Sequence, residues 1–205
     1  LIEPAVKFSN LGLAVIDEQH KFGVAQRSKL WAKSSISPHV LVMTATPIPR
    51  TLAMTAYGDL DCSVLDELPP GRKEIKTVHR TDSNRLAVHN FIEKQILEGR
   101  QIYVVYPLIE ESATLDHKDL MDGYESLTRR FPLPKFRIGV VHGRMKPEDK
   151  EIEMQRFAKG VTQILVATTV IEVGVNVPNA SLMVIESAER FGLSQMHQLR
   201  GRVGR

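Results

Sequence analysis

The chain has 205 residues, enough for one large domain or two small ones. Its hydrophobic content of 42% and charged content of 25% are those of an ordinary globular protein, and its net charge of +3 permits nucleic-acid binding without demonstrating it. The single cysteine, Cys62, excludes an internal disulfide. No apolar stretch reaches the ~18 residues of a membrane span and no signal peptide is visible, so we expect a cytoplasmic protein without a membrane partner.

The chain starts with Leu1 rather than Met and stops inside an arginine-rich sequence. We therefore expect it to be a piece of a larger protein.

Apolar runs alternate with helical patterns, which favours an α/β fold with parallel sheets. One helix is expected to be capped by Asp82 or Ser83, to bury four apolar side chains (Leu86, Phe91, Ile92 and Ile96) and to end near Gly99. The other predicted elements are strands at 11–16, 40–43, 102–106, 137–141, 163–168 and 182–186, and helices at 51–57 and 147–158.

Residues 68–73, LPPGRK, have the composition of a linker. We therefore predict two α/β units: residues 1–73, the end of a first domain with the linker, and residues 74–205, a second domain that is nearly complete. The first unit has too few strands to bury a sheet on both faces. Studied alone, the chain is expected to show low solubility or self-association.

Two adjacent carboxylates, Asp17 and Glu18, stand at the end of the first predicted strand. Open α/β sheets bind ligands at this edge, where an Asp can hold the magnesium of a nucleoside triphosphate and a Glu can activate the attacking water. The side chains of Gln19 and His20 can bridge such a site to a neighbouring domain. The alternative is an exposed acidic pair, and the four residues together favour the nucleotide site.

Thr44 and Thr46 follow the second predicted strand, on the same sheet edge as Asp17. Their hydroxyls can contact the carboxylates or a phosphate. Alternatively, residues 44–50 form a proline-rich turn in which Thr46 caps a helix. The position beside Asp17 favours a functional interpretation.

Gly143 and Arg144 follow the strand predicted at 137–141. The glycine lets the backbone approach a phosphate closely, and the arginine supplies charge suited to a nucleic-acid backbone. A solvated basic turn explains the same residues equally well.

The strand predicted at 163–168 ends in a pair of hydroxyls, Thr168 and Thr169. Together with backbone amides they could hold DNA phosphates, while Gly174 and Asn176 could lie near the nucleotide. A buried β-branched strand followed by an ordinary turn explains everything except the polar pair.

The chain ends in the sequence QLRGRVGR, which holds Arg200, Arg202 and Arg205. A basic helix face is the usual meaning of such a run, but the intervening glycines weaken an exposed helix. Arginines beside close-packed backbone are suited to reach across a cleft and contact phosphate charge. Such an arginine finger can raise the rate by ~10³–10⁵-fold. We therefore interpret this segment as carrying arginine fingers.

One motif is absent. The phosphate-cradling pattern G-x-x-x-x-G-K-[ST] occurs nowhere in the chain, which contains no Gly-Lys pair. These 205 residues alone are therefore not expected to bind and turn over ATP.

In their order along the chain, these motifs resemble those of the superfamily 2 helicases, and most closely the RecG family of bacterial branch-migration helicases. Transcription–repair coupling translocases have similar motifs, but residues 17–24 followed by Gln26 and Arg27 look more like RecG. The similar segments are residues 1–12 (LIEPAVKFSNLG), 16–24 (IDEQHKFGV), 43–53 (MTATPIPRTLA), 106–112 (YPLIEES), 167–175 (ATTVIEVGV) and 188–205 (AERFGLSQMHQLRGRVGR).

The resemblance implies two RecA-like domains, ATP and Mg²⁺ as cofactors, and double-stranded DNA at stalled forks and Holliday junctions as partner. It further implies branch migration as the activity, a monomer, and a place near the bacterial nucleoid. The roles implied by the resemblance are magnesium binding and water activation (Asp17, Glu18), coupling (Thr44, Thr46), a motif that links nucleotide to DNA (Thr168, Thr169, Gly174) and the finger motif (Gln198, Arg202, Arg205). Our remaining site expectations are catalytic support (Gln19, His20), DNA binding (Arg50, Gly143, Arg144, with Thr168 and Thr169) and nucleotide binding (Gly174, Asn176).

Three parts of the family pattern are missing from this sequence: the phosphate loop, the DNA-gripping N-terminal wedge and the C-terminal segment that converts hydrolysis into translocation. Asn176 stands where the family usually has Asp; its amide can bond a ribose hydroxyl but carries no charge. Two alternatives remain open, a non-catalytic DNA-binding module and a transcription-repair coupling translocase.

Overall fold

The computed structural model describes residues 3, 5–17, 38–44, 61–68, 70–107, 113–168 and 177–204, with the backbone alone at 113–118. The chain divides into two compact units, Leu1–Val64 and Leu65–Arg205. The predicted helix at 51–57 lies outside the described residues.

The first unit contains a pair of parallel strands, β1 (Leu13–Asp17) and β2 (His39–Met43), close to the predicted positions. Ala14 and Ile16 point to one side and are buried. The opposite face is about half exposed, because alternate residues of a strand point to opposite sides. Its apolar members are Leu13, Val15, Leu41 and Met43.

The second unit is built on a sheet of four parallel strands in the order β4-β5-β3-β6. This architecture confirms the predicted α/β class with parallel sheets. In chain order the elements are a 3₁₀ turn (Asp82–Asn84), α1 (Arg85–Leu97), β3 (Gln101–Tyr106), α2 (Ala113–Arg130), β4 (Ile138–Val141), α3 (Pro147–Ala158), β5 (Ile164–Thr168), β6 (Ala180–Ile185), a second 3₁₀ turn (Ala188–Arg190) and α4 (Leu193–Arg200).

Both faces of this sheet are covered by helices. Ile102 and Val104 of β3 pack with residues of α1 and α2 on one face. Tyr103 and Val105, which alternate with them, pack with residues of α3 and α4 on the other. A strand buried on both faces is apolar along most of its length, which is why these strands could be predicted as apolar runs; the buried polar residues Gln101 and Thr168 stand at the ends of β3 and β5.

Two of the core residues predicted for helix α1 are wrong. Ile92 is 1% exposed and packs on the sheet with Val88 and Ile96, at helical spacing. Leu86 and Phe91, by contrast, are 67% and 50% exposed because they lie off that stripe. The helix also begins at Arg85, after a 3₁₀ turn, rather than directly after Asp82 or Ser83.

Helix α2 packs very closely against the end of β3. At Gly123 an added Cβ atom would overlap the phenol of Tyr106, so only a residue without a side chain lets the helix approach the strand here. Tyr106 is 9% exposed, and burial, followed by the nearby Glu186 carboxylate, raises its pKa to about 12. The phenol is therefore neutral at physiological pH.

The helix predicted at 147–158 is confirmed as α3 (Pro147–Ala158). Pro147 occupies its first turn together with Glu148 and Asp149, as expected for a residue lacking an N–H and for charges that favour a helix N-terminus. In the part of the chain that the structure describes, no helix is both long and apolar enough to cross a membrane.

Candidate nucleotide and nucleic-acid site

The described part of the first unit places Asp17 and Thr44 on one sheet edge. Asp17 ends β1 and is paired in register with Met43, the last residue of β2, so Thr44 leaves the sheet beside it. Both residues are exposed. The remaining predicted site residues of this unit, Glu18, Gln19, His20, Thr46 and Arg50, lie outside the described residues.

Asp17 suits a magnesium ion that is held mainly by a nucleotide. Mg²⁺ prefers oxygen ligands, keeps several waters and typically takes one or two carboxylates together with substrate phosphates. An exposed carboxylate at the C-terminal end of a parallel strand fits that requirement.

In the second unit, the loop after β4 is held in a defined turn. The Met145 amide donates to the His142 carbonyl at 3.2 Å, and the Lys150 ammonium on α3 donates to the Gly143 carbonyl at 3.1 Å. Gly143 and Arg144 are exposed at this turn. The fixed backbone leaves both residues accessible to a ligand in solution.

Thr168 lies beside that loop. It ends β5 next to β4, where Val141 is paired with Ala167. Thr168 is 3% exposed, and its Oγ1 atom has no hydrogen-bond partner among the residues that the structure describes. A buried hydroxyl without a partner costs about 1–3 kcal/mol. The other predicted residues of this segment, Thr169, Gly174 and Asn176, lie outside the described residues.

The arginine-rich segment follows a short helix on the face of the sheet opposite α1 and α2. Helix α4 starts at Leu193. The amide of the preceding residue, Gly192, donates to the Gln195 side chain at 3.1 Å. Leu199 and Val203 are buried in the core shared with α3, and they anchor the segment between them. Gln198 lies in the last turn of α4, whereas Arg202 lies beyond it; Arg205 is outside the described residues.

Two neighbouring arginines in this segment have different surroundings. Arg200, the last residue of α4, donates from Nη2 to the Ile75 carbonyl at 2.9 Å. Within the described ranges, the Arg202 side chain has no hydrogen bond or ion pair, although its own amide donates to the Leu199 carbonyl at 2.9 Å. Arg202 is thus fixed in its backbone while its guanidinium stays available to a ligand. Helix α4 ends at Arg200, and Arg202 lies beyond it. The segment is therefore not the continuous basic helix face of the alternative interpretation.

A charge cluster at the ends of β3 and β6 was missed by the sequence analysis. The Arg85 guanidinium lies 3.1 Å from Asp82 and 3.5 Å from Glu186, which follows β6. The hydrogen bond that Arg85 donates to Asp82, followed by the charge of Glu186, raises the pKa of Arg85. Glu186 thus faces the Arg85 guanidinium at this edge of the sheet. The two residues are 101 positions apart in the sequence, so no local pattern indicates their pairing.

The described site residues therefore fall into three groups. Asp17 and Thr44 share an edge of the first sheet, Thr168 lies beside the loop of Gly143 and Arg144, and Gln198 shares a segment with Arg202.

The family model of the helicase conserved C-terminal domain matches residues 85–205. The ATP-dependent DNA helicase RecG of Synechocystis sp. is 56% identical over 205 residues, an alignment that covers 100% of this chain and 24% of the relative.

Two solved structures show the same fold. RecG bound to a three-way DNA junction superposes with a TM-score of 0.70 at 46% identity, covering 100% of this chain and 26% of that one. A variant of S. cerevisiae Dbp5 bound to RNA and ADP BeF3 gives a TM-score of 0.60 at 12% identity, covering 98% and 52%, and shows the fold alone. The chain spans about a quarter of the RecG proteins it matches.

The chain therefore belongs to the family of helicase conserved C-terminal domains, and the resemblance to RecG helicases that its motifs indicated is confirmed over its whole length.

Proposed function

We propose that the longer protein containing this chain is an ATP-dependent translocase and helicase on double-stranded DNA. It drives branch migration and fork reversal at stalled forks and Holliday junctions in DNA repair and recombination. The observation that carries the proposal is the identity of 56% to a RecG helicase along the whole chain. The similarity to RecG bound to a three-way DNA junction supports branched DNA as the partner.

ATP and Mg²⁺ are the proposed cofactors. The magnesium ion would neutralise phosphate charge, and Asp17 would be one of its ligands. Glu18 would orient or deprotonate the attacking water, with Gln19 and His20 as hydrogen-bonding neighbours, and Gly174 and Asn176 would contact the nucleotide. Arg202 and Arg205 would stabilise the charge that develops on the transferred phosphoryl group, with Gln198 in the same motif.

DNA contact is assigned to the exposed turn after β4 and the end of β5. Arg144 can neutralise a backbone phosphate, and the bare backbone at Gly143 allows one to approach closely. Thr168 and Thr169 would donate hydroxyl hydrogen bonds at the adjacent strand end, and Arg50 would contribute from the first unit. Thr44 and Thr46 would couple the hydrolysis site to movement.

The domain limits of 1–73 and 74–205 stay a prediction, and we propose that both are RecA-like. The compact second unit of the structure starts at Leu65, so it includes the whole of the predicted linker. We further propose a monomer acting in the bacterial cytoplasm near the nucleoid. The bacterial origin of the RecG relatives supports only the bacterial part of this proposal.

The decisive experiment is DNA-stimulated ATP hydrolysis by the longer protein, with forked duplex compared against linear duplex. Strong stimulation by the fork together with unwinding of it is the expected result. No stimulation by either DNA would favour the non-catalytic binding module. Unwinding that appears only after RNA polymerase is added would favour the coupling translocase.

Thr168 allows a prediction in which stability and function change in opposite directions. Replacing Thr168 with valine keeps the shape and removes the unpartnered buried hydroxyl, so the free energy of unfolding should rise by about 1–2 kcal/mol. DNA stimulation of the ATPase should fall, because the variant no longer has the hydroxyl that would bond a DNA phosphate. Denaturant unfolding and ATPase titration with DNA measure the two effects.

Thr128→Val is the matched control, since the Thr128 hydroxyl already donates to the Tyr124 carbonyl in α2. This variant should gain no stability and should keep its response to DNA. A loss of stability in Thr168→Val, with normal stimulation, would contradict the role assigned to this hydroxyl.

A further inference from the structure

The last two residues of the predicted linker are hydrogen-bonded to the arginine-rich end of the second unit. The Arg72 guanidinium donates from Nη2 to the Gly201 carbonyl at 2.7 Å, across 129 positions of sequence. The Lys73 amide donates to the Gly204 carbonyl at 3.0 Å. We call residues 72–75 the strap and residues 201–204 the arginine loop.

The two hydrogen bonds hold the arginine loop on either side of Arg202. Gly201 directly precedes Arg202, and Gly204 follows it by two residues. Both loop carbonyls accept hydrogen bonds from the strap, and the two donors lie on consecutive residues. The backbone that carries the Arg202 side chain is therefore fixed before and after it.

A reciprocal bond and an apolar contact complete the attachment. The Arg200 guanidinium, at the end of α4, donates back to the Ile75 carbonyl. The side chain of Ile75 packs against the core cluster that contains Leu199 and Val203. The strap is thus held by the same core that anchors the loop.

Gly204 shows how close the two segments lie. Its φ of +73° is one that residues with a side chain rarely adopt, and an added Cβ atom would lie 2.9 Å from Cγ1 of Ile75 and 3.1 Å from the Lys73 carbonyl oxygen. A larger residue at this position would push the strap and the loop apart.

We propose that the strap is a positioning element for the arginine loop, and that Arg72 is the positioning residue that holds Arg202 in place to reach the nucleotide. This inference rests on the proposed function, in which Arg202 stabilises the phosphoryl group undergoing transfer. Catalysis by a positioned charge depends steeply on geometry, since a misplacement of about 1 Å can cost about 10²-fold in rate. A charged donor on the carbonyl next to Arg202 provides that constraint at a part-buried position.

The test compares Arg72→Ala, Arg72→Lys and wild type in the longer protein with saturating forked DNA. For Arg72→Ala we expect kcat to fall about 10- to 100-fold with KM for ATP within about twofold, because a displaced Arg202 weakens stabilisation of the transition state rather than binding of ATP. Arg72→Lys keeps a cationic donor and should recover part of kcat. Arg80→Ala is the control, because Arg80 is exposed and bonds only its neighbour His79 among the described residues.

A pair of glycines gives a second test that does not alter charge. Gly204 and Gly160 share a φ of +73°, but an added Cβ at Gly160 meets nothing within 4 Å. Gly204→Ala should reproduce the loss of kcat, whereas Gly160→Ala carries the same backbone strain away from the strap and should leave kcat near wild type.

Amide hydrogen exchange of the same proteins separates this inference from the proposed function. Arg72→Ala should speed exchange in the peptide covering residues 199–204, and Arg80→Ala should not. A wild-type protein that shows no DNA-stimulated ATPase contradicts the proposed function, while the exchange result still decides whether the strap holds the loop. Unchanged exchange in Arg72→Ala would overturn the proposal that the strap positions the arginine loop. A wild-type kcat in this variant alongside an inactive Arg202→Ala would overturn it as well. So would a loss of kcat that Arg72→Lys fails to reduce.

Discussion

Replacing Arg202 with alanine in the longer protein should lower kcat for DNA-stimulated ATP hydrolysis by roughly 10³-fold or more, the range attributed to arginine fingers. The reason lies in the contrast between Arg202 and Arg200. Arg200 is committed to the Ile75 carbonyl, whereas Arg202 has a fixed backbone and no partner for its guanidinium among the described residues. Steady-state ATPase assays with saturating forked DNA measure the effect, and a nucleotide-binding assay should show ATP still bound.

Two further variants sharpen this prediction. Arg202→Lys should recover little of the activity, because an ammonium lacks the planar fork with which a guanidinium engages phosphate oxygens. Arg129→Ala removes an equal charge from an exposed position whose ion pair with Glu125 spans 3.6 Å, and it should behave as wild type. A protein that retains normal turnover without Arg202 would show that another residue acts as the finger.

Replacing Glu18 with glutamine should lower the hydrolysis rate by about 10²–10⁴-fold, the usual contribution of a general base, while sparing ATP binding. Asp17, at the end of β1, would still be present to hold magnesium, so binding and chemistry should separate in this variant. Equilibrium binding of a labelled nucleotide and single-turnover hydrolysis measure the two properties.

The matched control is Glu67→Gln, which removes one carboxylate charge at an exposed position of the second unit. Its turnover should equal that of wild type. Normal hydrolysis by Glu18→Gln would remove the basis for assigning water activation to this residue.

The strands were the part of the fold that local sequence predicted best. Residues of β3 and β5 are buried on both faces, so the sequence of each strand is a nearly continuous apolar run. The ends of β5 and β4 then indicated where Thr168 and Gly143 would lie. Because parallel strands carry their C-terminal ends to one edge, strand order alone brings such residues together.

Helices were predicted less well because apolar residues do not all face the core. In α1 the stripe of Val88, Ile92 and Ile96 decides the packing, and Leu86 and Phe91 stay exposed. Helix α2 was not predicted at all. Its Leu120 and Leu127 are buried seven residues apart, but charges and the central Gly123 obscure the pattern.

The strap shows a different kind of miss. The two prolines and the glycine of residues 68–73 suggested an irregular segment, yet the composition gave no sign that Arg72 bonds Gly201. Ile75, an apolar residue in a polar stretch, was the one available signal of a docked segment. Pairings across more than a hundred residues depend on the complete fold, and local patterns do not contain them.

The close approach of α2 to β3 ties two distant positions of the sequence to each other. A side chain at position 123 and the tyrosine ring at position 106 would occupy the same space. Each position therefore limits which amino acids the other can tolerate, whatever its own role. A residue larger than glycine at 123 requires the ring or the helix to shift, so we expect such a residue to be accompanied by one smaller than tyrosine at 106.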